Sequence, residues 1–185
     1  MILHGDEPAV PIYEKAGFGK VCRAVNYLGQ AEPMSCSVSI RPMKREDLEA
    51  VFELDLRAFG ADRSVFLHRF LMSASEHCFV EMDEVGNIAG FITGRRGNGV
   101  TAAGPWVAGD NSRCAADLLK AFSDSVHPDV MRIDLLEDQV RAIGILNQEF
   151  PFLQENGHSW KMIRGDNRRW GLPELALAVG TPATG

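Results

Sequence analysis

Read as a pattern of elements, this 185-residue chain is an α/β protein whose mixed sheet is covered by helices on both faces. Three observations lead there. Three strand-like runs between 78 and 108 are separated only by short Gly/Asn breaks, which makes an antiparallel meander. A helical run then leads into a further apolar run at 130–136, and a crossover of that length joins parallel strands. Two helical runs precede the meander and one more follows the crossover.

Each element has its own signal. Residues 9–16 form a short helix with Pro11 in its first turn and Gly17 as its stop. Residues 21–28 read as a strand closed by Gly29, and 30–37 (QAEPMSCS) as a polar linker. After a strand at 38–43, Leu48, Val51, Phe52, Leu56 and Phe59 fall at helical spacing and end at Gly60. Asp62 can cap a second helix, whose apolar face is expected to hold Val65, Phe66, Phe70 and Leu71. The meander strands are 78–82, 88–95 and 100–108, with Gly86-Asn87 and Gly97-Asn98-Gly99 between them. Although 94–99 superficially resembles a phosphate loop, no helix follows it, and a hairpin turn is the better reading. Ala115, Leu118, Leu119, Phe122 and Val126 give a helix with one apolar stripe. Then come strand 130–136, a helix at 138–149 with Val140, Ile143 and Leu146 inward, and strands 159–164 and 175–179. A polar loop at 165–173 carries Trp170.

The chain also carries a self-match. PIYEKAGF begins at Pro11 and PFLQENGH at Pro151, so Pro11 aligns with Pro151 and Gly17 with Gly157, one domain length apart. The expectation is the tail of one domain (1–29), a linker (30–37), one complete domain (38–181) and a short tail (182–185). The orphan tail would expose Ile12, Phe18 and Val21 unless it pairs with another copy of the chain.

Bulk properties exclude several classes of function. With 45% hydrophobic and 24% charged residues, the chain can bury a globular core. A net charge of −6 argues against non-specific nucleic-acid binding, and Arg95-Arg96 and Arg168-Arg169 read as solvated loop pairs. Cys22, Cys36, Cys78 and Cys114 never approach CxxC spacing, so no metal site is indicated and reduced thiols in a cytoplasmic protein are expected. The opening MILHGDEPAVP is no signal peptide, and no apolar run reaches membrane-spanning length.

The order β-α-α-β-β-β-α-β-α-β-β resembles the Gcn5-related N-acetyltransferase (GNAT) superfamily. YEKAGF at Tyr13–Phe18 resembles that family's last-helix signature, a tyrosine four residues before Gly-Phe. GFITGRRGNGVTAAGPWVA (90–108) is similar to two central strands in the C-terminal half of tandem bacterial GNAT proteins. The resemblance implies acetyl-CoA as cosubstrate, an amine on a small molecule or protein as acceptor, and direct acetyl transfer without a covalent enzyme intermediate. It implies that Trp106, Val107 and Ala108 border the pantetheine arm, and that Asn111, Ser112, Arg113, Cys114, Ala115 and Ala116 hold the pyrophosphate at a helix start.

This phosphate loop departs from the family pattern, Arg/Gln-x-x-Gly-x-Gly/Ala. Asp110 stands at its basic or neutral position, Arg113 at its central glycine, and only Ala115 agrees. A carboxylate ~4 Å from a phosphate would cost about 4 kcal/mol at an effective dielectric of ~20. A helix N-terminus returns at most ~2 kcal/mol, so Asp110 must turn away if the cofactor binds. Arg113 either reaches a phosphate or fills the cradle.

No catalytic residue is assigned. The family's acid, a tyrosine, falls on Tyr13 in the orphan tail and on Leu153 in the complete copy, and a missing acid costs ~10²–10⁴ in rate. Glu137, Asp138 and His158 are candidate bases, although helix capping and a partly buried strand histidine are the plainer readings. Trp106 either borders a pocket or belongs to the core. Cys114, near a helix start, either has a depressed pKa or is simply buried. The alternative to an enzyme is a non-catalytic GNAT-like module that regulates or shapes the substrate site of a catalytic half. No motif in 59–63 or 165–173 names an acceptor.

Overall fold

The computed structural model describes residues 1–110, 112, 114–165, 171–178 and 180. Among these, nine strands make one mixed sheet: β1 (Ile2–Gly5), β2 (Gly19–Gln30), β3 (Ile40–Pro42), β4 (Phe79–Met82), β5 (Ile88–Arg96), β6 (Val100–Ala108), β7 (Val130–Leu136), β8 (Gln154–Ile163) and β9 (Ala176–Ala178). Five helices accompany them: α1 (Val10–Lys15), α2 (Leu48–Phe59), α3 (Ser64–Ser73), α4 (Ala115–Val126) and α5 (Val140–Glu149). The spatial order is β1-β8-β2-β7-β6-β5-β4-β3, with β9 beside β6. Only the β6–β7 pair is parallel, and α4 is its crossover, as the sequence pattern requires.

Alternation along the central strands divides the core into two layers. Phe91 and Val107 face α2 and α3, where they meet Val51, Leu54, Leu67 and Phe70. Ile92, Trp106 and Ile133 face α4 and α5, where they meet Leu118, Phe122 and Leu146. A strand buried on both faces reads as a continuous apolar run, which is why 88–94 was legible, whereas 130–136 alternates between buried and half-buried residues. Gly60 ends α2 at φ +82°, and its N–H bonds the Leu56 carbonyl, the left-handed stop that a Cβ would disfavour. Asp62 accepts the Ser64 N–H at 2.8 Å, at the start of α3.

Two helical faces differ from expectation. In α3 the buried side chains are Leu67, Phe70 and Leu71, whereas Val65 is 72% exposed and Phe66 also faces outward. The helix begins at Ser64, so its inward stripe starts one turn later than the apolar run. In α5 Ala142 and Leu146 are buried, and Val140, at the first position, is 78% exposed. Between α2 and α3, Arg63 forms a buried two-bond pair with Asp55 (3.0 and 2.6 Å) and lies over the Phe59 ring.

The N-terminal segment is built into the same sheet. β2 pairs antiparallel with β7 along one edge and with β8 along the other, so it separates two strands that follow it by more than a hundred residues. Val10, Phe18 and Met162 form a small core under α1, and Ile12 and Val21 are exposed. β1, which has no strand signal of its own in the opening MILHG, pairs with β8 at the edge of the sheet. The polar segment after β2 runs along α4, where Ser123 bonds both the amide and the carbonyl of Glu32, and Asp117 accepts the Ser37 N–H.

The self-match does not extend to structure. Residues 10–15 are helical and Gly17 closes them, but α5 ends at Glu149, before the matching run begins. Residues 151–153 are a turn, and Gly157 lies inside β8, which starts five residues earlier than expected. Leu153 is therefore a buried core residue in the turn after α5, not a helical position equivalent to Tyr13. Trp170, Val179, Arg168-Arg169 and the tail 182–185 lie outside the described residues. No described helix is long and apolar enough to cross a membrane.

Candidate active site

The most distinctive place in the sheet is where β6 and β7 part. Their parallel pairing runs from Val100↔Val130 to Ala103↔Ile133 and stops. Beyond that point β9 takes the edge of β6 that β7 has left, with Trp106 opposite Ala178 and Val107 opposite Ala176. The Ala108 N–H donates to the Leu175 carbonyl at 2.9 Å. β5 holds the other edge, through Ile92↔Trp106, Phe91↔Val107 and Gly90↔Ala108. Strand edges on both sides of 106–108 are thus engaged within the chain. The fit is close: Gly104 has φ +123°, and a Cβ there would sit 2.8 Å from the Gly180 Cα.

Trp106 is fully buried, and its indole N–H donates to the Ala115 carbonyl at 3.2 Å. It ties β6 to the first turn of α4 and belongs to the buried core. Ala115 is buried and Ala116 half-buried in that turn. Asn111 and Arg113 lie outside the described residues. Asp110 turns outward and pairs with Arg57 of α2 at 3.0 Å, both side chains being exposed.

The start of α4 already holds an anion. Glu81 of β4 is 2% exposed, and its carboxylate accepts the Cys114 N–H at 2.9 Å and the Ser112 hydroxyl at 2.5 Å. Burying a carboxylate costs several kcal/mol unless hydrogen bonds compensate, and the open amides of a helix start are suited to do so. The cross-strand neighbour of Glu81 is Gly90, and a Cβ on it would lie 3.2 Å from Glu81 Oε2. Glycine leaves the room this carboxylate occupies.

Acidic groups surround the same loop. A groove of about 510 Å³ in front of it is bordered by Asp83, Glu84 and Asp110. A second, of about 660 Å³, lies between the loop and the start of α5, beside Asp110, Asp138, Glu174 and Arg141. Among the described residues, Glu81 takes the helix start and β9 the strand edge, so a CoA pyrophosphate and pantetheine arm would fit here only with both displaced. Among the described residues, no group of three or more His, Cys, Asp or Glu is placed to hold a metal.

The other candidate groups are dispersed. Glu137 accepts the Arg23 amide and its guanidinium, both at 2.8 Å, and these bonds hold its carboxyl below the usual range. It pins β2 to the end of β7. Asp138 stands beside the second groove, at the approach to α5. His158 is an exposed residue in β8, edge-on to Trp160 and 3.9 Å from Glu7. Tyr13 packs against Phe18 over the Met162 cluster, under α1. Of these, Asp138 borders the β6–β7 opening through the second groove, whereas Glu137 is tied to Arg23, and His158 and Tyr13 sit by β8 and α1. Glu81 was missed by the sequence reading, although a glutamate flanked by apolar residues in CFVEM was a visible signal.

The acetyltransferase (GNAT) domain family matches residues 51–170, and the chain belongs to this family. It is 27% identical over 178 residues to the uncharacterized N-acetyltransferase YitH of Bacillus subtilis (strain 168), covering 87% of this chain and 62% of that protein. A Pyrococcus horikoshii structure, whose own acetyltransferase assignment is inferential, superposes with a TM-score of 0.75 at 20% identity over 100% of this chain and 59% of that one. A GCN5-related N-acetyltransferase from Sphaerobacter thermophilus superposes at 0.63 with 14% identity, over 87% of this chain and 58% of that one. The chain thus spans about three fifths of the length of these relatives.

Proposed function

We propose that the chain is the GNAT domain of an N-acetyltransferase that moves an acetyl group from acetyl-CoA to an amine on a small molecule or protein. The observation that carries this reading is the parallel β6–β7 pair that opens beyond Ala103 and Ile133 and leads through a loop to the start of α4. Family membership and likeness to an N-acetyltransferase support it. The groups assigned to the cofactor remain 106–108 on β6 and 111–116 at the helix start. For a thioester to lie along β6, β9 must first leave that edge. The reading extends to a cytoplasmic protein, supported by four free cysteines.

A specific observation favours a second reading. β9 and Glu81 occupy the strand edge and the helix start at once. A domain built this way serves a larger enzyme by shaping or regulating its substrate site, with acetyl transfer carried out elsewhere in that protein. Calorimetric titration of acetyl-CoA into the chain, followed by an acetyl-transfer assay over a panel of amines, separates the two. Saturable binding with turnover supports the enzyme. Absence of heat at millimolar acetyl-CoA removes acetyl-CoA from this cleft and leaves the modular role.

A further inference from the structure

We infer that Glu81 is the residue that excludes phosphate from the start of α4, so that a phosphate-bearing ligand reaches this helix only when the carboxylate is removed or displaced. The inference rests on reading the β6–β7 opening as the cofactor cleft. Helix-start amides attract whatever anion is nearest. Here that anion is covalently part of the chain. Glu81 Oε1 takes the Cys114 N–H and Oε2 takes the Ser112 hydroxyl, at lengths expected of charge-assisted bonds.

Three features make the arrangement specific. Glu81 projects from β4 into the same layer as Phe79, where an apolar side chain would be the ordinary choice. Gly90, directly opposite on β5, keeps the space for it open. Outside the loop, Asp83, Glu84 and Asp110, the last paired with Arg57, border the groove that leads to this seat. A phosphate drawn to the Cys114 amide must compete with an anion that has no translational freedom to lose.

The test uses the full chain, two variants and two probes. Glu81→Gln removes the charge and keeps the shape, whereas Glu81→Ala removes both. Inorganic pyrophosphate is titrated into each ¹⁵N-labelled protein while the Cys114 amide resonance is followed, and acetyl-CoA is titrated in parallel. In the wild-type chain pyrophosphate should leave Cys114 unmoved. Affinity should rise at least ~tenfold in Glu81→Gln and further in Glu81→Ala. Should the alanine variant not fold, the glutamine variant carries the test. Equal pyrophosphate affinity in all three proteins, or a wild-type Cys114 amide that shifts on binding, overturns the role of Glu81. If the variants gain pyrophosphate but none binds acetyl-CoA, Glu81 keeps its role and the acetyl-CoA reading of the cleft falls. If the wild type binds acetyl-CoA through Cys114, the reverse holds.

Discussion

Replacing Leu177 by alanine asks whether β9 stays docked in solution, on which the state of the cleft depends. Leu177 is 0% exposed and belongs to the core cluster that contains Trp106, Leu118 and Ile133. The substitution deletes about three methylene equivalents at ~0.8 kcal/mol each, or about 2.4 kcal/mol from transfer alone. The cavity left behind brings the usual range for a buried leucine to ~2–5 kcal/mol. In a domain of this size each kcal/mol moves the melting temperature by ~2–4 °C, so a fall of roughly 4–20 °C is expected. Urea denaturation followed by tryptophan fluorescence measures it, with an unchanged slope as the sign of two-state behaviour. Val140→Ala, at an exposed position, is the control and should move the midpoint little. A midpoint unaltered by Leu177→Ala would mean that β9 does not rest in the β6–β7 opening, and the account of an occupied cleft would fail with it.

Other expectations concern the buried polar groups. Asp55→Ala should destabilise by ~3–5 kcal/mol, because the Arg63 guanidinium keeps its burial and loses its carboxylate; chemical denaturation would show a much smaller loss if the pair were dispensable. Burial holds His77 and His4 below the ordinary histidine value of 6.5, and both ring nitrogens of His4 are buried without a partner. The unfolded chain therefore takes up these protons first as pH falls. Stability present above pH 6.5 should decline as pH drops through 6.5 toward the folded values. Urea midpoints between pH ~7.5 and ~5.5 should record that slope, and His77→Asn should flatten it. Burial pushes the Cys78 thiol up to about 11, so Cys78 should resist alkylation in the folded chain while exposed Cys36 is modified; early labelling of Cys78 would contradict its place in the core.

Local signals in the sequence were sufficient for most elements. Apolar spacing located α2, α4 and α5, and Gly/Asn breaks located the meander, because those features depend on neighbours a few residues away. Pairing partners were another matter. Residues 21–28 read as a strand, yet nothing in them told that β7 and β8 would flank it, since that choice depends on pattern matching across the whole chain. LALAV likewise read as a strand without revealing that it would fill the opening beside β6. Val65, Phe66 and Val140 misled because apolar residues in a first helical turn can face outward. Asp110, expected to turn away if a cofactor binds, points outward to Arg57, a partner that local sequence does not name. Glu81 was the signal to heed: a carboxylate among inward-facing apolar residues must have a donor waiting for it.

The place of β2 has a consequence during synthesis. Gly19 must find Ile163, 144 positions later in the chain. At ~5–20 residues per second a ribosome needs roughly 7–30 s to cover that distance. Until β7 emerges at 130–136 this twelve-residue strand has neither flank satisfied, and until β8 follows it keeps one edge open, at the stage when a nascent chain is most open to mispairing and to chaperone capture.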